Sequence, residues 1–256
     1  MYWQPVAQVG IGRPADARSL AGGVCWFEFA QLLVRGKAPE RVHWRDMPTA
    51  ALERLTAERE PVCGMVMDRP RVMGILNVTP DSFSDGGQFT RPDLAKMHAE
   101  EMARDGADLL DIGGESTRPG ADVVSIEVEI ERTIPVIEAV QALGLPVSID
   151  TRKAAVAQAA LAAGADLVND VSGLTYDDGM APLVAKKGVP VCIMHAQGDP
   201  KTMQAAPQYD DVLLDVYDWL EARVLDAEAQ GISRDKIIVD PGIGFGKTLE
   251  HNLTLL

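Results

Sequence analysis

A TIM-type (β/α) barrel is the fold class this sequence predicts, and three observations carry the expectation. From Arg71 onward, short apolar stretches alternate with helical patterns, the rhythm of βα units. The stretches are short and apolar, as parallel strands covered by helices on their outer faces are. Each closes on a polar residue: Asn77, Asp111, Asp150, Asn169, His195 and Asp240. A barrel brings such ends to one mouth, whereas a doubly wound sheet has a use only for those near its switch point.

Taken in order, residues 1–70 read as an N-terminal extension. Pro5–Gly10 and Val24–Leu33 favour short strands, Trp26, Phe27 and Phe29 being strand formers, although Phe27–Val34 also fits a helix. Thr49–Glu60 reads as a helix capped by Thr49 and stopped by Pro61. In the barrel domain, 71–256, the expected strands are Arg71–Val78, Asp108–Ile112, Pro146–Ile149, Asp166–Asn169, Pro190–Met194 and Lys236–Val239. The expected helices are Pro92–Asp105, Ser125–Leu143, Lys153–Ala163, Asp178–Lys187 and Tyr209–Gln230. Glu127 and Glu129 suit the positive start of the second of these, and Pro135 should kink it. Gly164, Gly188 and Gly231 end the three that follow.

Composition sets limits on function. The 256 residues are 46% hydrophobic and carry 24 basic against 38 acidic side chains, a net charge of −14. That balance argues against a nonspecific nucleic-acid or anionic-membrane surface, yet leaves room for an anionic small molecule held locally. Cys25, Cys63 and Cys192 are sparse and unpaired in sequence, as in a reducing compartment. No apolar run approaches the ~20 residues of a membrane helix. The first residues lack the plan of a secretory signal, so the expected location is the cytoplasm.

The chemistry lies in the strand ends and the loops after them. Asp150, Asp240 and Asn169 make a claw for a flat heterocycle with several N–H donors. The stretch Met73–Gly87 ends its strand at Asn77 and continues through a connection longer than βα loops usually are. In Gly113–Gly120, two glycines admit a ligand to the backbone, Ser116 and Thr117 offer hydroxyls, and Arg118 suits a carboxylate or phosphate. Asp240–Thr248 misses the spacing of both the P-loop and the dinucleotide fingerprint, so its glycines are read as keeping side chains out of the mouth. Cys192 and His195, three apart on a strand, point to opposite faces and cannot share a metal. A Mg²⁺ held by Asn77 and substrate phosphates fits the water-rich coordination of that ion.

These motifs resemble the dihydropteroate synthase family. The resemblance rests on Met73–Gly87, Gly113–Gly120, Ser148–Arg152, Asn169–Gly173, Met194–Gly198 and Asp240–Lys247, all in order. It implies a barrel, a target of sulfonamides, that joins 6-hydroxymethyl-7,8-dihydropterin pyrophosphate to p-aminobenzoate and releases pyrophosphate. By the same resemblance Asp150, Asn169 and Asp240 hold the pterin and Met194 packs on its ring. Asn77 binds Mg²⁺ and pyrophosphate, and Thr117, Arg118 and Pro119 place p-aminobenzoate, with Phe245 lining its pocket. Asp81, Ser82 and Phe83 close over both substrates. Asp150, Asn77 and Arg118 are the expected catalytic residues, and the expected assembly is a homodimer.

The family pattern continues with two further strands, which carry a lysine and an arginine–histidine pair. Leu256 falls before them, so the chain is expected to be a fragment of a synthase barrel that stops after its sixth βα unit. The alternatives are a catalytically silent pterin-binding homologue and a pterin-dependent methyltransferase domain. The latter shares the claw but needs neither the first loop nor Ser116–Arg118.

Overall fold

The computed structural model describes residues 1–78, 91–116, 123–198 and 206–256. Its internal contacts divide it into two units, Met1–Pro70 and Arg71–Leu256.

In the first unit, β1 (Tyr2–Pro5), β4 (Phe29–Leu33) and β5 (Glu40–His43) form an antiparallel sheet in the order β1-β4-β5. A short ladder joins β2 (Arg18–Ser19) to β3 (Trp26–Phe27). The aromatic run 26–33 is therefore two short strands separated by a bend at Glu28, and not helical. Phe27 and Ala30 are buried with Met47 and with Ala51 of α1 (Thr49–Thr56). The cap assignment needs correcting: Pro48 occupies the N-cap and makes no side-chain cap bond, so Thr49 is already inside the helix. Pro48 presets its φ at −58°, so the helix can start without a hydroxyl. Strand β5 has no apolar alternation to announce it. It is held by its register with β4 and by Arg41, whose guanidinium lies 3.9 Å over the Phe29 ring.

The described residues of the second unit form six parallel strands: β6 (Met73–Asn77), β7 (Leu109–Gly113), β8 (Val147–Asp150), β9 (Leu167–Asp170), β10 (Val191–Met194) and β11 (Ile237–Asp240). Each lies beside its neighbour in the chain, with β6 and β11 at the two edges of the sheet. That sequential order is the order of a (β/α) barrel; a doubly wound sheet reverses at a switch point.

Between the strands run α2 (Arg91–Arg104), α3 (Ile126–Val140), α4 (Ala154–Ala162), α5 (Met180–Lys187) and α6 (Val212–Ala229), with α7 (Leu249–Leu255) after β11. Ser125 caps α3 by accepting from Val128 N–H, and Asp211 caps α6 by accepting from Leu214 N–H. Pro135 sits inside α3 without ending it.

Alternation along the strands divides their side chains into two sets. Leu76, Leu110, Ile112, Val147, Ile149, Val168, Val191 and Ile193 are fully buried and pack with Ala95, Ala99, Val136, Ile137, Ala157, Ala160, Met180 and Val184 of the helices. The other set includes Asn77, Asp111, Ser148, Asp150, Asn169 and Asp240, and these form the site.

Candidate functional site

The strand register shows what the second face carries. Asn77 is paired with Gly113, Gly113 with Asp150, and Asp150 with Asn169, so one row crosses four strands. The row continues to Cys192, and two residues further along these strands Met194 pairs with Asp240. Because side chains two apart share a face, Asn77, Asp150, Asn169, Met194 and Asp240 all project from the same side of the sheet. Met194 is buried, Asp150, Asn169 and Asp240 are half-buried, and Asn77 is exposed at the end of β6.

Asp111 belongs to this set. Strand β7 runs two residues past it, to Gly113, so Asp111 lies deeper than a strand end. It is buried, and Asn169 Nδ2 donates to its Oδ2 at 3.0 Å across the intervening β8. Asp111 Oδ1 and the Ser148 Oγ are buried without a hydrogen-bond partner among the described residues. Burial raises the Asp111 pKa, partly offset by the nearby Ser148 and Asn169 dipoles. Asp150 is pushed well above the ordinary carboxylate range, first by burial and then by the charges of Asp111, Glu129, Asp170 and Glu115. The same burial, with Asp240, Asp111 and Asp150 nearby, drives the Cys192 thiol up to about 12, so it is an inert neutral wall.

Two side chains have part of their capacity committed. The Nδ2 of Asn169 is spent on Asp111, which leaves its Oδ1 as an acceptor. Asp240 Oδ1 accepts from Gly242 N–H at 2.7 Å, which leaves Oδ2 for a ligand. The face is therefore rich in acceptors, the complement of a donor-rich heterocycle. Gly113 makes room for them: a Cβ there would stand 3.3 Å from Asp150 Oδ2 and 3.5 Å from Asn77 Oδ1.

His195 is a correction to the expected ring of polar ends. It follows Met194 and so turns to the opposite side, where its ring meets Trp219 edge-on at 5.0 Å. There, Lys247 Nζ contacts His195 Nδ1 at 3.0 Å and donates to the carbonyls of Gly242 and Phe245 at 2.9 Å each. Burial lowers the Lys247 pKa to about 8. Burial and then the lysine charge lower His195 to about 4. Two glycines of this loop also serve a packing contact: a Cβ on Gly242 would lie 2.0 Å from His195 O, and one on Gly246 2.8 Å from Gln197 O. They let the loop after β11 close on the segment after β10. Phe245 is half-buried in that loop. A cavity of ≈ 880 Å³ on this outer side is lined by His195, Gln197, Tyr209, Trp219 and His251, and by none of the row residues.

A second buried cluster sits beyond the ends of β7 and β8. Lys153 Nζ donates to Glu115 Oε2 at 2.7 Å, to Glu129 Oε2 at 2.6 Å and to the Val124 carbonyl at 2.8 Å. Arg152 Nε donates to Glu115 Oε1 at 2.9 Å, and its guanidinium lies 4.1 Å over the Tyr176 ring. Burial opposes both charges, but the hydrogen bonds outweigh it, holding Glu115 below and Lys153 above their usual ranges. Thr117, Arg118, Pro119 and Phe83, with Asp81 and Ser82, lie outside the described residues.

Among the described residues, six sequential βα units with acceptors at the carboxyl ends of the strands make this an α/β fold of the (β/α) barrel type, left open between β6 and β11. The chain belongs to the pterin binding enzyme family, whose model matches residues 73–256. Within it the chain is similar to dihydropteroate synthases: it is 50% identical to that of Synechocystis over 189 residues, 73% of this chain and 65% of the relative. It is 48% identical to that of Escherichia coli over 191 residues, 74% of this chain and 67% of the relative. The chain thus spans about two thirds of the length of these relatives. Among solved structures, it is similar to Xanthomonas albilineans dihydropteroate synthase with 4-aminobenzoic acid (TM-score 0.70, 50% identity, 75% of this chain and 69% of that one). It is also similar to the same enzyme in complex with 7,8-dihydropteroate (TM-score 0.66, 46% identity, 75% and 67%).

Proposed function

We propose that this barrel carries dihydropteroate synthase chemistry, joining 6-hydroxymethyl-7,8-dihydropterin pyrophosphate to p-aminobenzoate with release of pyrophosphate. The observation that carries the reading is the single row Asn77–Gly113–Asp150–Asn169, with Asp240 on the same face. In this reading residues 1–70 are an extension to the pterin barrel.

Asp150, Asn169 Oδ1 and Asp240 Oδ2 accept from the N–H groups of the pterin, and Met194 backs its ring. A ligand without those donors would leave buried acceptors unpaired, which is how such a site selects. The bond from the exocyclic carbon to the pyrophosphate oxygen breaks, and its electron pair leaves on the oxygen. Asp150 in its ionised form, which facing N–H donors favour, stabilises the positive charge that develops on the pterin. The arylamine nitrogen then bonds to that carbon and loses a proton. Arg118, with Thr117 and Pro119, is assigned to the p-aminobenzoate side, Phe245 to the wall of its pocket, and Phe83 to closure over both substrates.

The residues present fit a magnesium ion. Asn77 offers an exposed neutral amide oxygen beside Asp150, and no group of three His, Cys, Asp or Glu among the described residues is placed to hold a metal. That donor set suits an ion carried chiefly by diphosphate oxygens and water. When bound, it supplies positive charge to the departing pyrophosphate. No helix among the described residues is long and apolar enough to cross a membrane, and the cytoplasm is the location this reading assigns. A homodimer is part of the same reading.

The test is turnover of the two substrates beside calorimetric titration with 6-hydroxymethylpterin. Pterin binding with product formation supports the proposal. Binding without product makes the chain a silent pterin binder, and failure to bind overturns the reading.

A further inference from the structure

Asp150 is the last residue of β8, and its pairs with Gly113 and Asn169 are the last rungs of both ladders. Pairing therefore holds it from one side only, and a binding group at a strand end needs a further anchor to keep its geometry. The residues just past it take no part in the reaction as derived above, yet they are buried and joined to buried charges. For stability alone, such charges are replaceable by apolar side chains of similar volume at little or no loss. What they add is geometry, because short bonds to a charged group leave little freedom to what they hold.

Thr151 is buried, and its side chain reaches the helix layer. Its Oγ1 donates to Glu129 Oε1, in the first turn of α3, at 2.6 Å and accepts from Lys153 N–H at 3.2 Å. One hydroxyl thus closes the turn 151–153 and ties it to the helix. The Thr151 N–H donates to the Asn169 carbonyl at 3.1 Å, so the same residue grips both Asp150, through the chain, and Asn169. Glu129 is a fixed post for this grip. Its Oε2 accepts from Lys153 Nζ at 2.6 Å, and its stem lies so close to Gly114 that a Cβ there would stand 3.1 Å from Glu129 Cγ. Arg132, one turn further along α3, donates to the Gly114 carbonyl at 2.8 Å. Gly114 follows Gly113, the neighbour of Asp150 on β7, so α3 fixes the chain on both flanks of Asp150.

We propose that Thr151 is a positioning residue that holds the Asp150 carboxyl and the Asn169 amide at the spacing the pterin requires. This deepens the function proposed above and rests on it. The Thr151 side chain faces α3 and not the row of acceptors. It acts through the backbone it shares with Asp150 and through the Asn169 carbonyl, with Glu129 as the anchor. A valine side chain has the same shape but offers Glu129 no proton, which leaves a buried carboxylate oxygen without its donor and releases the turn.

The experiment compares the full chain with Thr151→Val and Thr151→Ser by calorimetric titration with 6-hydroxymethylpterin, at a temperature where circular dichroism shows each to be fully folded. Thr151→Ala, which takes away the methyl groups beside Glu129, replaces Thr151→Val should that variant fail to fold. Without the hydroxyl, pterin affinity is expected to fall on the order of tenfold, as a misplaced binding group requires. Thr151→Ser, which keeps the hydroxyl, is expected to stay within about twofold of the parent. That rescue separates positioning from packing, because Thr151→Ser lacks the methyl group that packing would need. An undiminished affinity without the hydroxyl, or a Thr151→Ser variant as weak as Thr151→Val, overturns the proposal. An unsubstituted chain that binds no 6-hydroxymethylpterin overturns the functional reading itself and takes this inference with it, and that result is seen before any variant is compared.

Discussion

Asn169 donates to Asp111 at 3.0 Å across the strand that separates them. That bond orients the Asn169 amide with its oxygen free, so Asp111 shapes a binding group it does not itself replace. Substituting Asp111→Asn removes the obligate acceptor and frees the amide to turn. We expect 6-hydroxymethylpterin affinity to fall about tenfold, the worth of one well-placed hydrogen bond, as read by calorimetry.

Gly113→Ala tests the spacing of the row more locally. The new methyl group would press on Asp150 Oδ2 at 3.3 Å, while Asn77 Oδ1 at 3.5 Å stays in ordinary contact. Pterin affinity should drop at least about tenfold while the thermal midpoint moves by no more than a few degrees, because the opposite, helix-packed face is untouched.

Asp150 should trade stability for binding. Its folded-state pKa is raised, so the folded chain holds this proton more tightly than the unfolded chain does. The associated stability is complete below the ordinary aspartate range and is lost as pH rises through the raised value. Asp150→Asn removes that loss. Its thermal midpoint at pH 8 should exceed that of the parent by roughly 2–4 °C, with pterin binding abolished. A midpoint that falls would refute the assignment of a strained carboxyl.

Lys247→Met should destabilise the second unit by about 2–4 kcal/mol in urea unfolding, since it strips the donor from the buried carbonyl of Gly242 and the part-buried one of Phe245. The Asp240 loop depends on the same contacts, so pterin binding should weaken with it. A stability change below ~1 kcal/mol would mean that the two loops are held by their glycine packing instead.

How much of this could be read from the chain alone follows from the range over which each feature is encoded. Asn77, Asp150, Asn169 and Asp240 each end an apolar run, a pattern visible in a handful of neighbouring residues. Asp111 also looked like a strand end, but β7 pairs for two more residues through Gly113, and pairing depends on partners elsewhere. His195 shows the limit of the same rule: one step past Met194, alternation turns it away from the others. The Lys153 and Lys247 clusters join residues 24 to 52 positions apart and leave no local periodicity to find. Pro48 taking the cap before Thr49 is a smaller case, in which a preset backbone angle replaced a hydroxyl.

The raised proton affinity of Asp150 also reaches into how binding will be observed. A carboxyl whose proton affinity is raised in the empty site, and lowered when N–H donors face it, hands whatever proton it carries to the medium on binding. Heats of pterin titration will then contain the ionisation enthalpy of the buffer, and titrations in Tris and in phosphate will disagree by an amount that counts the protons released.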